Sequence, residues 1–159
     1  MRALVTLLGV SVVLVGCLSR SASQGQDSCF EGIARVRGPT RSVTTWVVSD
    51  SGEVRVDGDL EREIRQLGGG VLEVCGVVEE QAMAVASYDL RQMAGRPARA
   101  GVLYDDGGEW IIDSQHGHFQ LIGSVPNELR SLEGKRVWVA GPVEGSTIRV
   151  ESFGVIQPE

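Results

Sequence analysis

The sequence is poor in several features on which common functions depend. Its 159 residues include only two histidines, and no serine or cysteine stands near both a base and an orienting acid. It lacks positive charge: 15 basic and 21 acidic residues give a net charge of −6, which removes the electrostatic reason to approach nucleic acid. The glycine run at residues 68–70 follows a predicted helix, whereas a phosphate-binding loop precedes one. We therefore expect no catalytic site, no cofactor and no nucleic-acid partner.

Long apolar runs are also missing. After Met1 and Arg2, the 14 residues Ala3–Gly16 are mostly apolar. A membrane-spanning helix needs about 20 such residues, so this run is too short to cross a bilayer. Because it follows a positively charged start, it fits the hydrophobic region of a signal peptide over residues 1–16.

Residues 14–17, which end this run, read LVGC. The tetrapeptide resembles the lipobox of bacterial lipoproteins. The resemblance implies cleavage before Cys17, a diacylglyceryl thioether on its sulfur and acylation of the new amino group. Two or three acyl chains anchor a protein stably, so the resemblance also implies the lipid bilayer as a partner. Leu18 in place of aspartate implies the outer membrane, facing the periplasm. The alternative is an ordinary secretory signal with an incidental cysteine.

Residues 18–28 (LSRSASQGQDS) are small and polar. They bury too little apolar surface to order themselves. We predict that residues 17–28 form the lipid anchor and a flexible tether.

An internal repeat organises the remainder. Residues 60–90 align without a gap to residues 125–155, 65 positions later. The aligned pairs are Ile64 with Leu129, Leu67 with Leu132, Gly69 with Gly134, Gly76 with Gly141, Val78 with Val143, Val85 with Val150 and Ser87 with Ser152. A repeat of this kind predicts two structural units of one fold.

Each copy has the same predicted order: three strands, a short amphipathic helix and two more strands. Asp57 or Asp59 is expected to cap the first helix, and Ser124 the second. This order is that of an OB-fold barrel. The shared pattern L-x-x-L-x-G, V-x-V-x-G-x-V-E resembles small bacterial envelope OB-like domains, including those found in tandem on lipoproteins. We expect a mainly β protein of two tandem five-stranded OB-like barrels, with a five-stranded SH3-like barrel as the alternative.

The predicted barrels are separated by a segment without periodicity. Residues 91–99 (RQMAGRPAR) contain glycine and proline and are predicted to be a linker. The first barrel then covers residues 29–90, and the second residues 100–159.

The two copies differ on the predicted outer face. Because strand side chains alternate faces, the fifth strand of the first copy turns three alanines outward where the second copy has Thr147, Arg149 and Glu151. We expect these alanines to belong to an apolar interaction face that packs against the second barrel or a partner protein. Trp138 is expected to cover part of this face. Its other members are Val77, Ala82, Ala84 and Ala86. The alternative is that small residues on an exposed strand have no role.

Two cysteines remain besides Cys17. Cys29 precedes the first strand and Cys75 lies on the fourth, and these strands are neighbours in an OB barrel. Cysteines in an oxidising compartment usually pair, so we predict a disulfide between them. The alternative is a buried, unpaired Cys75 beside a mobile Cys29.

The histidines form a His116-Gly117-His118 turn close to Asp113. This spacing can start a zinc or copper site, although a third ligand is not evident. A solvated polar turn is the alternative.

OB barrels bind ligands on strands two and three and the adjoining loops. Besides the histidines, the exposed candidates there are Arg55 and Gln120. The first hairpin, residues 37–43, carries Arg37 and Arg41 and has no counterpart in the second copy. Trp46 and Trp110 occupy equivalent positions, which favours a core or rim role over base stacking.

Two functions fit these observations. The first is a membrane-anchored envelope lipoprotein that acts as a protein-interaction or structural module. The second is a lipoprotein that binds a small ligand such as a glycan, peptide or metal.

Overall fold

The computed structural model describes residues 26–39 and 42–156. The predicted signal peptide, Cys17 and most of the predicted tether lie outside these ranges. The protein is mainly β, and the described strands join into one hydrogen-bonded network of twelve. The elements are β1 (Gln26–Arg37), β2 (Thr44–Ser49), β3 (Gly52–Asp57), α1 (Glu61–Gln66), β4 (Val71–Glu79), β5 (Ala82–Met93), β6 (Arg96–Asp106), β7 (Glu109–Ser114), β8 (Gly117–Ile122), α2 (Asn127–Arg130), β9 (Arg136–Ala140), β10 (Val143–Glu144), β11 (Thr147–Arg149) and β12 (Ser152–Val155).

The strands of the first copy pair in a closed order. β1 is antiparallel to β4 along its first part and to β2 along its last, β2 pairs with β3, β3 lies parallel to β5, and β5 returns to β4. The change of partner on β1 falls next to Gly32, where a Cβ would lie 2.5 Å from the backbone oxygen of Val48. Glycine therefore allows the strand to pass between its two neighbours.

The second copy has the same pairings. β6 pairs with β9 and β7, β7 with β8, and β8 lies parallel to β11, while β12 pairs with β9. The 65-residue offset holds in three dimensions, because Arg55 pairs with Ala82 as Gln120 pairs with Thr147. The fifth strand of the first copy is continuous, whereas its counterpart is divided into β11 and β12.

Both predicted helices form, but without the predicted caps. α1 begins after Leu60 and α2 after Pro126, and neither end has a side-chain capping hydrogen bond. Asp57 instead accepts a hydrogen bond from the backbone N–H of Gly58. The helices are short, and each is held by one fully buried residue, Ile64 or Leu129.

The segment predicted to be a linker is a β-hairpin. β5 runs to Met93 and β6 starts at Arg96, with Gln92 opposite Pro97, so only the turn at residues 94–95 connects the two copies. Pro97 is tolerated at the start of a strand, where a missing N–H is least costly. Residues 26–28 of the predicted tether likewise belong to β1 and pair with β4.

The core is divided unequally between the copies. A smaller cluster, built around Leu103, Ile112 and Ile148, is confined to the second copy. The larger cluster contains the interior of the first copy and also draws on the second through Ala98, Ala100, Ala140 and Ile156, with Trp138 packed against it. We call these five residues the junction face. Trp138 and Ala140 therefore help to join the copies, and they do not lie on a free outer surface.

A polar contact reinforces the junction. The hydroxyl of Tyr88 on β5 donates a hydrogen bond to Glu63 of α1 over 2.8 Å, and Nε of Arg136 on β9 lies 2.9 Å from the same carboxylate oxygen. The Arg136 guanidinium also lies over the Tyr88 ring at 5.4 Å. Burial raises the pKa of Tyr88 well above its ordinary value; Arg136 opposes this rise and Glu63 adds to it.

Candidate functional site

A shallow channel runs over the outer face of the first copy. In register across the sheet, Trp46 lies opposite Arg55, Arg55 opposite Ala82, and Ala82 opposite Glu79. Two residues further along β5, on the same face, Ala84 lies between Asp57 and Val77. Because the two alanines present only methyl groups between longer side chains, they form a low floor. We call this surface the alanine channel; it comprises Trp46, Arg55, Asp57, Val77, Glu79, Ala82 and Ala84.

Two concavities open on the channel. One, of about 810 Å³, is lined by Trp46, Arg55, Asp57, Glu79, Glu80, Gln81 and Ala82. The other, of about 620 Å³, shares Arg55 and Asp57 with the first and extends along α1. Because they share two lining residues, the two concavities adjoin.

The larger concavity is acidic. Its lining carries three carboxylates, those of Asp57, Glu79 and Glu80, against the single guanidinium of Arg55. Arg55 lies 3.9 Å from Asp57, and both side chains are exposed, so this ion pair is weak and can be exchanged for another partner. A ligand with positive charge is therefore favoured.

Trp46 forms one side of the channel and is already partly engaged. Its indole N–H donates to the hydroxyl of Thr44 over 3.0 Å, and the Arg37 guanidinium lies 5.3 Å from its ring centroid. Arg37 is in turn held by a two-point contact with Glu53. This places Arg37, from the hairpin that distinguishes the first copy, beside the channel; Arg41 lies outside the described residues.

The described part of the second copy carries larger side chains at the positions of the channel floor. Thr147 and Arg149 occupy the places of Ala82 and Ala84, opposite Gln120 and Ile122. The long Arg149 side chain stands where the first copy has a methyl group.

The predicted interaction face is therefore divided by the structure. Val77, Ala82 and Ala84 belong to the channel. Ala84 and Ala86 are exposed, so these two alanines do not pack against the second copy. Trp138 was predicted to cover them but lies in the junction face, because β9 turns that side of the second copy toward the first.

The two histidines diverge. Nε2 of His116 lies 3.7 Å from the carboxylate of Asp89 on β5, whereas Nδ1 of His118 lies 3.3 Å from Asp113 and 3.2 Å from the hydroxyl of Tyr104. Within the described ranges, the three-residue group with metal-ligand spacing is Cys29, Glu73 and Cys75, and it contains neither histidine. Since its two sulfurs are bonded to each other, they are not thiolate ligands.

The predicted disulfide is confirmed. Cys29 and Cys75 are bonded and lie directly opposite each other on β1 and β4. Their counterparts in the second copy, Ala98 and Ala140, are fully buried in the junction face. The same position in the fold thus carries a cross-link on an open surface in one copy and a packing contact in the other.

Sequence reasoning missed the polar cluster beside the disulfide. Glu31 on β1 and Glu73 on β4 lie opposite each other, and Glu73 lies opposite the buried Asp89 on β5. Arg91 forms ion pairs with Glu73 and Asp89, and its hydrogen bond to Glu73 is the main cause of its raised pKa. The acidic residues could be read from the sequence, but their alignment across three strands depends on register.

Comparisons with known proteins assign no family. No protein-family model matches the sequence, and neither does any curated protein. A solved structure described as a tRNA fluorescent labelling enzyme aligns with 82% of this chain and 31% of its own, at 13% identity and a TM-score of 0.35. The chain thus spans about a third of that protein, and a likeness this low carries no argument about fold or function. Within residues 26–39 and 42–156, no helix is both long enough and apolar enough to cross a membrane.

Proposed function

We propose that this protein is a non-catalytic, lipid-anchored lipoprotein of the cell envelope, built from two tandem OB-like barrels, and that the alanine channel receives an extended, positively charged segment of another envelope protein. The alanine channel is the observation that carries the proposal. It combines a floor of small side chains, two adjoining concavities and an excess of carboxylates on one open face.

The pairing order supports the OB-like interpretation. In each copy the first strand is shared between the second and the fourth, the third lies parallel to the fifth, and a helix sits between the third and fourth. That order is typical of OB barrels, which bind ligands over strands two and three and the loop between strands four and five. The alanine channel lies in that region of the first copy.

The lipid anchor is supported by the LVGC tetrapeptide that ends at Cys17. Metabolic labelling with a palmitate analogue should mark the wild-type protein, and Cys17→Ser should abolish the label. Labelling that survives this substitution would contradict the anchor without bearing on the channel.

The channel is tested by Ala84→Arg, which raises the floor and adds a positive charge. Ala84 is exposed, so folding should be preserved. A partner captured by cross-linking in the envelope should be lost from this variant. Ala86→Arg is the matched control, because it places the same side chain on an exposed site of the same strand outside the channel. Equal loss from both variants would contradict a role for the channel.

Binding of a small ligand is the second candidate, favoured by the larger concavity with Trp46 at its side. A thermal-shift screen with metals and cell-wall fragments tests it, because a ligand that binds the native state raises the melting temperature. A shift that persists in Ala84→Arg would place that ligand elsewhere, with the His116 and His118 turn as the next site to test.

A further inference from the structure

The Cys29–Cys75 disulfide lies on an accessible surface. Cys29 is exposed and Cys75 is half-buried, so an attacking sulfur can reach the bond from the β1 side. A structural disulfide sealed in the core would not offer this approach.

The part of β1 that carries Cys29 is attached along one side only. Residues 26–32, which we call the leading segment, pair with β4, and pairing with β2 begins at Ile33. β4 is held independently by β5. Release of the leading segment would therefore leave the partner strand in place.

The leading segment covers apolar core residues. Phe30 packs against the larger core cluster. A cavity of about 310 Å³ lies at this place, and its lining includes Phe30 together with Val54, Val78 and Met83. If the leading segment moved away, these side chains would be reached by solvent or by an apolar ligand.

Carboxylates flank the bond. Glu31 and Glu73 form the next pair on the same face, two positions along the β1–β4 register, and an oxygen of Glu73 lies within 4.8 Å of both sulfurs. Asp27 lies two residues before Cys29 and so shares its face. Arg91 balances one of these three charges through its ion pair with Glu73. The remaining negative field disfavours the approach of an anionic thiolate.

We propose that the Cys29–Cys75 disulfide is a redox-controlled clamp, which holds the leading segment over the apolar cavity and is opened by a dithiol reductant without net negative charge. One thiolate of the reductant attacks Sγ of Cys29 and expels Sγ of Cys75. The second thiolate then resolves the mixed disulfide, so the reductant is oxidised to a disulfide and both cysteines become thiols. This inference depends on neither the alanine channel nor the lipid anchor.

Hydrogen exchange on the full chain, before and after reduction with dithiothreitol, tests the clamp. Reduction should speed amide exchange in residues 26–32 by roughly tenfold or more, together with those amides of β4 that face β1, whereas residues 82–90 of β5 and the second copy should change by less than about twofold. The Cys29→Ser/Cys75→Ser variant should reproduce the reduced pattern without a reductant. Uniform acceleration across the chain would make the bond a global staple and overturn the proposal, and so would no change in the leading segment.

Reduction kinetics test the charge selection. At low ionic strength, cysteamine should reduce the wild-type bond about fivefold or more faster than mercaptoacetate, after correction for their rates on an uncharged model disulfide. Glu31→Gln/Glu73→Gln should shrink this ratio toward one. An unchanged ratio in the double variant would overturn the assignment of these carboxylates.

Discussion

Gly76 and Gly141 occupy the same place in the two copies, where one strand crosses close to another backbone. A Cβ at Gly76 would lie 2.1 Å from the backbone oxygen of Ala84, and one at Gly141 would lie 1.9 Å from that of Arg149. No side chain fits in either place, so both glycines are required by contact with the fifth strand. The backbone oxygen that Gly76 approaches belongs to Ala84, a floor residue of the alanine channel.

Gly76→Ala should destabilise the protein by about 1–3 kcal/mol or more, because backbone must move to admit the methyl group. Gly68→Ala is the control, since a Cβ there meets its nearest atom at 3.4 Å. Urea denaturation should show a lower midpoint for the first variant and little change for the second. Equal midpoints would mean that β4 and β5 separate at little cost.

Three elements meet at the contact of Glu63, Tyr88 and Arg136. α1 and β5 of the first copy and β9 of the second each supply one member. Tyr88 is almost fully buried, and its phenol is kept neutral mainly by burial. The hydrogen bond from Tyr88 to Glu63 therefore lasts only while the hydroxyl keeps its proton, whereas the ion pair of Glu63 with Arg136 does not depend on it.

The raised pKa of Tyr88 predicts loss of stability in alkali. The folded state binds the phenolic proton more tightly than the unfolded state, so this contribution is complete below pH 10 and is lost as the pH rises above it. We expect a loss of about 1 kcal/mol by pH 11, measured as the change in unfolding free energy between pH 8 and pH 11.

Tyr88→Phe should remove that pH dependence and cost about 1 kcal/mol at pH 8, because Glu63 and Arg136 still pair with each other. Tyr104→Phe serves as the control, since its half-buried ring bonds His118 away from the junction. If Tyr88→Phe and wild type lost stability equally in alkali, the phenol would not be the group responsible.

At the scale of the whole molecule, the copies share a core. The junction face supplies fully buried atoms of the second copy to the larger cluster, and the β5–β6 hairpin joins the sheets. The smaller cluster is complete within the second copy. The first copy therefore depends on the second for part of its core, whereas the converse dependence is weaker.

Unfolding of the wild type should be a single urea transition, in which peptides of both copies lose exchange protection together. Ala98→Leu overfills the junction and should lower stability by about 1–3 kcal/mol, with the first copy losing protection at a lower urea concentration than the second. Val102→Leu, on an exposed part of the same strand, should leave the single transition intact. Simultaneous loss in Ala98→Leu would show that the smaller cluster also depends on the junction.

The sequence by itself determined that the protein is mainly β and that Cys29 pairs with Cys75. Five strands in each copy stays a prediction, and in the second copy the last two predicted strands are divided among β9, β10, β11 and β12. The alternation of apolar and polar residues, the short periodic segments and the turn residues are local features. They can therefore be read from the sequence, and they recur 65 residues later.

Only the tertiary structure decided what the outer faces do. The β-hairpin at residues 91–99, the junction face and the alanine channel all depend on which strands lie side by side and in which register. Ala82 and Ala98 look alike in the sequence, yet one lines an open channel and the other is fully buried against the first copy. Burial of an outer face requires a partner surface, and that surface comes from a distant part of the chain.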